Sequence, residues 1–179
     1  MARVLRFVIV FLIGFSFGAG LLLFAEPQQP VCAESVESVF SPDAEWRAVE
    51  LIGSAQESVW VEMYLFTNTN LRKALLDAAG RGVEVRVLLE PRVDSNFETA
   101  RFLSERGISV KWAPREFKLV HSKFVVVDGE RVLVGSHNWS HSAWVDNREA
   151  SVIVAGKAAV AGFEKVFESD WANGNEFVV

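Results

Sequence analysis

The alternation of strand-like and helix-like segments constrains the fold of this chain most. Four helix-like stretches have an amphipathic spacing of apolar residues: 43–56, 70–79, 96–106 and 157–171. Runs rich in branched and aromatic residues predict the strands: 59–66, 83–89, 108–113, 123–127, 131–134 and 150–154. The Asp-Gly-Glu sequence at 128–130 predicts a hairpin between two of them. This order predicts an α/β fold, a mixed β-sheet flanked by helices on both faces.

The first 25 residues predict a membrane segment. Residues 7–25 form an uncharged run of 19 residues that follows Arg3 and Arg6. At ~1.5 Å per residue, a helix of this run would be about 28 Å long, close to the ~30 Å of bilayer hydrocarbon. We favour an uncleaved anchor, because the run is longer than the core of a usual secretory signal. The alternative is a signal segment that is cleaved near residues 31–33, where small residues occur.

The positive-inside rule keeps the two arginines on the cytoplasmic side, so in a prokaryote the rest of the chain is expected outside the cytoplasm. Cleavage would instead give a secreted or periplasmic protein. We therefore predict an anchor or signal segment at 1–25, a linker at 26–42 and a folded domain at 43–179. The linker is predicted from its prolines and from the absence of a periodic apolar pattern.

Charge is unevenly distributed along the chain, whose formal net charge is -5. Residues 26–62 contain eight acidic residues and one basic residue, whereas residues 63–148 contain thirteen basic and ten acidic residues. Only this middle part suits an anionic substrate. The single cysteine, Cys32, excludes an internal disulfide framework.

Six residue identities at fixed spacing form the most informative motif. His121 and Lys123 are followed after four residues by Asp128, and after six more by Gly135, Ser136 and Asn138. Such a match arises by chance on the order of once in 10⁵ chains of this length. His121 and Lys123 lie two apart entering a strand, so both side chains point to the same face, about 6.6 Å apart along it.

These residue types suit chemistry on a phosphodiester. A neutral His121 imidazole can attack phosphorus and form a covalent phosphohistidine. Lys123 and Asn138 can stabilise the charge that develops on the non-bridging oxygens, and Ser136 can add a hydrogen bond. Glu149 is expected to accept the second ring N–H of His121 and so to fix its tautomer. Asp128 is included among the candidate catalytic residues as a fixed motif position, although its place at the hairpin turn favours a structural role.

The motif resembles that of the phospholipase D superfamily, HxK, four residues, D, six residues, GSxN, at every fixed position. The likeness extends to segments 61–64, 82–89 and 147–149, and covers about residues 59–171. Glu90 stands where family members often carry Asp. The chain resembles the small single-motif endonucleases of this superfamily, which include bacterial secreted nucleases and the membrane-anchored Zucchini group.

One motif supplies one histidine, but the leaving oxygen also needs a proton from a general acid. Two-motif members of the family have a second copy, so this chain is expected to form an isologous homodimer with two His121 residues at one site. No metal or cofactor is expected, since no carboxylate cluster or histidine pair has convincing ligand spacing. His137 and His141 would be metal ligands only on a helix, and His137 is instead expected to line the groove.

Basic residues before the motif predict how a substrate approaches. Lys111, Arg115 and Lys118 lead to His121, and we favour a track for a phosphate backbone over a merely solvated loop. Trp139 and Trp144 are expected to pack in the core or at its rim rather than to stack on bases. The sequence therefore predicts an endonuclease acting on DNA or RNA. A phospholipase or phosphatidyl transferase acting on membrane lipid, and a tethered nucleic-acid-binding module without activity, are the alternatives.

Overall fold

The computed structural model describes residues 32–178, which form one eight-stranded sheet with helices on both faces. The strands are β1 (Ser35–Phe40), β2 (Ser58–Met63), β3 (Glu84–Leu89), β4 (Ser109–Trp112), β5 (Lys123–Val127), β6 (Arg131–Gly135), β7 (Ala150–Ala155) and β8 (Asn175–Glu176). The helices are α1 (Glu45–Gly53), α2 (Thr69–Gly80), α3 (Asn96–Ser104), α4 (His141–Val145) and α5 (Lys157–Asn173). The predicted membrane segment at 1–25 lies outside the described residues. Within residues 32–178, no helix is both long and apolar enough to cross a bilayer.

The sheet is mixed, with strand order β1-β7-β6-β5-β2-β3-β4-β8. Only the pairs β2–β3 and β3–β4 are parallel, and each is connected through a helix. All other neighbours are antiparallel. The predicted mixed α/β sheet with helices on both faces is confirmed.

The two sheet faces have separate apolar cores, and strand β2 shows how they arise. Val59, Val61 and Met63 belong to the larger core, which also includes apolar residues of α1, α2 and α3. Trp60 points to the opposite face, where its ring stacks on Phe167 of α5 at 5.4 Å between centroids. Because successive side chains of a strand alternate between faces, a central strand covered by helices on both sides must be apolar almost throughout.

The predicted linker at 26–42 is wrong in its second half. Ser35–Phe40 forms β1, an edge strand that pairs antiparallel with β7 over its whole length. Val39 is its only buried residue, so the segment lacks the alternation of apolar residues that would have predicted a strand. The folded part of the chain therefore begins well before residue 43. The short elements α4 and β8 were also missed.

Candidate active site

Three antiparallel strands bring the motif residues together at one end of the sheet. β5 begins, β6 ends and β7 begins at this end, as the pairs Phe124–Val134 and Gly135–Ser151 define. His121 and Lys123 lie at the start of β5, and Ser136 and Asn138 follow β6. Glu149 directly precedes β7. Residues remote in sequence thus share one edge because antiparallel neighbours place opposite chain ends side by side.

His121 and Lys123 are in direct contact. The Lys123 Nζ atom lies 3.2 Å from Nδ1 of the His121 ring, 3.4 Å from Nε2 and 2.8 Å from the His121 carbonyl oxygen. An ammonium can donate to a ring nitrogen only where that nitrogen carries a lone pair, so the contact fits a neutral imidazole. His121 is exposed, whereas Lys123 is half-buried. The pair therefore presents a nucleophile and a cation at one opening.

Tyr64 is a site residue that sequence reasoning missed. Its ring lies 4.3 Å from the His121 ring, between centroids, and 5.1 Å from the Lys123 Nζ atom. Tyr64 follows the last residue of β2, Met63, which pairs with Lys123 across the sheet. Only this pairing brings Tyr64 to the motif, since the two positions are about sixty residues apart in sequence. Its ring supports the imidazole from one side and attracts the ammonium.

Burial is the main cause that lowers the pKa of the Lys123 ammonium, and the negative charge of Glu149 opposes this shift. A partly desolvated ammonium gains more from an incoming anion than one that is fully hydrated. The arrangement therefore suits a cation that binds a non-bridging phosphate oxygen.

Glu149 does not pair with His121, so that prediction is wrong. Its Oε2 atom accepts a short hydrogen bond from the Ser136 hydroxyl, and its Oε1 atom accepts one from the Asn147 side-chain amide at 3.0 Å. These two hydrogen bonds, led by that of Ser136, lower the pKa of the Glu149 carboxyl against the opposing effect of burial. Ser136 also accepts the backbone N–H of Ala150 at 3.0 Å. Local donors thus occupy both carboxylate oxygens.

Gly135 is required by close packing between β6 and β7. A Cβ atom there would overlap the side chain and Cα of Ser151 and the carbonyl oxygen of Ala150. Two of these three atoms belong to the backbone of β7 and cannot turn aside. A side chain at 135 would therefore separate the strands that place Ser136 and Glu149.

We expect Gly135→Ala to lower the free energy of unfolding by about 1–3 kcal/mol, because an overpacked contact must push two strands apart. Denaturant unfolding of both proteins measures the change. Gly162→Ala in α5 is the matched control: a Cβ atom at Gly162 meets nothing within 4 Å. That substitution should stabilise the protein by about 0.5–1 kcal/mol through helix propensity. An unchanged free energy of unfolding in Gly135→Ala would contradict the packing argument.

Asp128 lies away from the site, at the opposite end of β5, and its place among the candidate catalytic residues is wrong. Asp128 lies seven positions after His121, about 23 Å along an extended chain at ~3.3 Å per residue. Its Oδ1 atom accepts backbone N–H groups of Glu57 at 2.8 Å and Ser58 at 2.9 Å. Asp128 and Gly129 have φ angles of 55° and 63°, as a tight hairpin turn with two left-handed residues requires. The structural role favoured from the sequence fits this geometry.

His137 does not line the groove, contrary to prediction, because its side chain is only 3% exposed. Its Nδ1 atom lies 2.6 Å from the Ser151 hydroxyl, and its ring stacks on Trp144 at 4.2 Å. Burial lowers the pKa of His137 and so favours its neutral form. Trp139 and Trp144 are 2% and 0% exposed, which confirms that they pack in the core.

Lys111 does not belong to the predicted basic track. It lies in β4, donates to the carbonyl oxygen of Trp171 at 3.2 Å and forms an ion pair with Glu176 at 3.1 Å. Arg115 and Lys118 are different: both are exposed in the segment that leads to His121. Of the three predicted track residues, these two remain available to an anionic ligand.

An apolar groove of about 460 Å³ opens beside the motif on the α5 face of the sheet. His121, Ser122 and Lys123 line its polar part, and its apolar part is lined by Phe124, Val134, Phe163 and Val166. A phosphate held at His121 could therefore carry an apolar substituent into the groove. Within residues 32–178, no group of three or more His, Cys, Asp or Glu side chains could hold a metal ion.

Comparison with known proteins identifies relatives over most of the described chain. A family model described as "Cardiolipin synthase, PLD-like domain" matches residues 48–171. The probable cardiolipin synthase YwiE of Bacillus subtilis (strain 168) is 33% identical over 128 residues, which are 68% of this chain and 25% of that protein. The mitochondrial cardiolipin hydrolase of Xenopus laevis is 34% identical over 128 residues, 69% of this chain and 58% of that protein. The chain thus spans only part of the length of both relatives.

A solved structure shares the same architecture. Nuc from Salmonella typhimurium, a phospholipase D family member, superposes with a TM-score of 0.76 at 26% sequence identity. The match covers 81% of this chain and 99% of the Nuc chain. The similarity therefore includes almost the whole of the Nuc chain.

Proposed function

The chain belongs to the phospholipase D superfamily, and we propose that it is a metal-independent phosphodiesterase that cleaves DNA or RNA through a phosphohistidine intermediate. The contact between His121 and Lys123 carries this proposal. The Nδ1 atom of His121 and the Nζ atom of Lys123 lie 3.2 Å apart, at an opening where a phosphate can reach both. The imidazole supplies the nucleophile, and the ammonium supplies the charge that a pentacoordinate phosphorus needs.

The proposed reaction has two displacements. A ring nitrogen of His121 bonds to phosphorus while the bond from phosphorus to the leaving oxygen breaks, and that oxygen takes a proton from a second imidazolium. Water then attacks the phosphohistidine and gives its proton to the same second imidazole, while the nitrogen–phosphorus bond breaks. Lys123 and Asn138 contact the non-bridging oxygens in both steps, and Ser136 with Glu149 holds the neighbouring backbone.

In the proposed reaction, the second imidazole comes from another copy of the chain. Of the other two histidines, His137 is buried against Trp144, and His141, at the start of α4, makes no hydrogen bond or ring contact with His121 within residues 32–178. We therefore propose an isologous homodimer in which His121 of the partner subunit protonates the leaving group. The exposed side chain of His121 is compatible with such an approach.

The choice of a nucleic acid substrate rests on the segment before the motif. Arg115 and Lys118 are exposed there, on the path to His121, and such side chains attract a polyanionic backbone. A phospholipid is the second candidate. It is favoured by the apolar groove next to Lys123, and two of the relatives are a cardiolipin synthase and a cardiolipin hydrolase.

We also propose that residues 7–25 anchor the chain in a membrane with the catalytic domain outside the cytoplasm. This rests on the length of the uncharged run and on the two arginines that precede it. Cleavage after the run would give a secreted or periplasmic enzyme with the same site.

A substrate panel tests the proposed activity. The full chain in mild detergent is incubated with single-stranded DNA, RNA or cardiolipin vesicles, in each case with excess EDTA. We expect cleavage of nucleic acid that persists in EDTA and is lost in His121→Ala, because the nucleophile is then absent. Acid quenching should trap a covalent adduct on the wild-type chain only.

The other outcomes separate the candidates. Turnover of cardiolipin alone would reassign the substrate to lipid, and binding of nucleic acid without cleavage would leave a tethered binding module. His141→Ala is the matched control, since it removes another exposed histidine and leaves every fixed position of the motif in place. Cleavage that EDTA abolishes would overturn the metal-independent mechanism.

A further inference from the structure

A buried carboxylate beside the site connects two elements that the motif does not include. Glu90 follows β3 at the active-site end of the sheet and is 0% exposed. Its Oε2 atom accepts the backbone N–H of Val120 at 2.7 Å. Its Oε1 atom accepts the backbone N–H of Arg92 at 3.0 Å and the guanidinium of the same residue at 2.9 Å. One side chain thus joins the end of β3 to the residue directly before His121.

Arg92 continues the connection. Its Nη2 atom donates to the carbonyl oxygens of Arg115 at 3.2 Å and Phe117 at 3.1 Å. Residues 114–120, the approach loop, are therefore fixed to the end of β3 at three backbone positions: 115, 117 and 120. The approach loop contains both exposed basic residues of the proposed substrate track.

We propose that Glu90 and Arg92 are positioning residues, a clamp that holds the approach loop and thereby aligns His121 and the side chains of Arg115 and Lys118. The inference rests on the proposed function, since it assigns these residues a part in the same reaction. Within residues 32–178, no hydrogen bond or ion pair joins either residue to a side chain of the motif. They act through the backbone of the loop.

Packing alone does not hold the approach loop. Residues 115–119 are all exposed, and the apolar side chains of Phe117 and Leu119 are 46% and 40% exposed. Only Pro114 and Val120, at the two ends, are buried. A loop with few buried apolar contacts keeps one conformation only if polar contacts fix its backbone. The clamp is the set of contacts that does so.

A second buried side chain extends the clamp to Tyr64. Asn96, which is 0% exposed, donates from Nδ2 to the carbonyl oxygens of Glu90 at 3.0 Å and Tyr64 at 2.9 Å. Tyr64 in turn contacts the His121 ring. The end of β3 therefore supports His121 from two sides, through the backbone at Val120 and through the ring of Tyr64.

The two clamp residues are expected to differ in their effects. Glu90 accepts a hydrogen bond from the backbone of Val120, directly before His121. Glu90→Gln should therefore lower kcat about 10- to 100-fold on every substrate, because a small misplacement of a nucleophile has an effect of this size. Arg92 donates to backbone carbonyl oxygens of the approach loop at Arg115 and Phe117, close to the basic side chains of the track. Arg92→Met should therefore raise KM for single-stranded DNA about 10-fold, because the loop must then be ordered on binding. The substrate bis(para-nitrophenyl) phosphate is too small to reach the basic residues of the track. On this substrate, Arg92→Met should change kcat by less than about 3-fold.

The experiment compares the full wild-type chain, Glu90→Gln, Arg92→Met and the control Arg101→Met on both substrates. Arg101 is exposed on α3, and its loss should change neither parameter. Amide hydrogen exchange gives a second measurement: the approach loop should exchange faster in both clamp variants while β5 keeps its protection. This pattern separates a positioning role from general destabilisation, which would expose β5 as well.

Three results would overturn the inference: kinetics of Arg92→Met that match the control, an equal loss on both substrates in that variant, or unchanged exchange of the loop. Failure of the proposed function looks different. In that case the wild-type chain and His121→Ala would be equally inactive on both substrates, and the exchange rates would still decide whether Glu90 and Arg92 hold the loop.

Discussion

Equimolar mixing of wild-type and His121→Ala subunits is expected to lower the activity to about one quarter of the wild-type value rather than to one half. If both His121 residues of a dimer serve one phosphate, only dimers with two wild-type subunits turn over, and random pairing makes these about a quarter of the total. The His121→Ala protein alone should lose at least about 10⁴-fold in kcat, since the nucleophile and the general acid disappear together.

The measurement uses full chains that carry different affinity tags and are mixed under conditions that allow subunits to exchange. Mixing with His141→Ala, which removes a surface histidine, should leave the activity unchanged. Activity of one half would mean that each subunit works alone. Full activity at concentrations where the chain is a monomer would lead to the same conclusion, that each subunit works alone.

Glu62→Gln is expected to raise the free energy of unfolding by about 4 kcal/mol at pH 8 and to leave it nearly unchanged at pH 4. Glu62 lies in the middle of the sheet, in β2, and is 0% exposed. In the described part of the chain, neither of its carboxylate oxygens has a hydrogen-bond partner within normal distance. Burial therefore raises its pKa to about 7; the nearby Ser122 hydroxyl opposes this shift, and the charge of Asp170 in α5 adds a smaller upward contribution.

The sign of the pH dependence follows from the direction of this shift. The folded protein binds the proton of Glu62 more tightly than the unfolded chain, whose carboxyl has a pKa near 4.3. The folded state therefore loses stability as the pH rises from that value to about 7, and the full cost is present above it. Each unit of pKa corresponds to about 1.4 kcal/mol, so the rise of the pKa from about 4.3 to about 7 gives the expected ~4 kcal/mol. Glutamine stays neutral and is not subject to this loss.

Denaturant unfolding at several pH values measures the difference between the two proteins. Glu57→Gln is the control, because it makes the same substitution at an exposed position directly before β2. It should change the free energy of unfolding by less than about 0.5 kcal/mol at every pH. A Glu62→Gln protein with the same pH profile as the wild type would show that the Glu62 carboxylate is hydrated or paired when the protein is folded.

The sequence by itself determined the class of fold and the chemical core of the site. An apolar run such as residues 125–127 predicts a strand that is covered on both faces, and these residues are buried in β5. His121 and Lys123 were predicted to act together because residues two apart in a strand share a face, and they are in contact. Both predictions depend on local spacing, which the chain carries without reference to the rest of the molecule.

Only the tertiary structure decided which other residues lie at the site with His121 and Lys123. Glu149 was expected at His121 but is held by Ser136 and Asn147, and Lys111 is held at the far edge of the sheet by Glu176. Tyr64 reaches the site only because β2 lies beside β5. Each of these partners depends on strand order and register, and the order of strands in a mixed sheet is set by packing between elements distant in sequence.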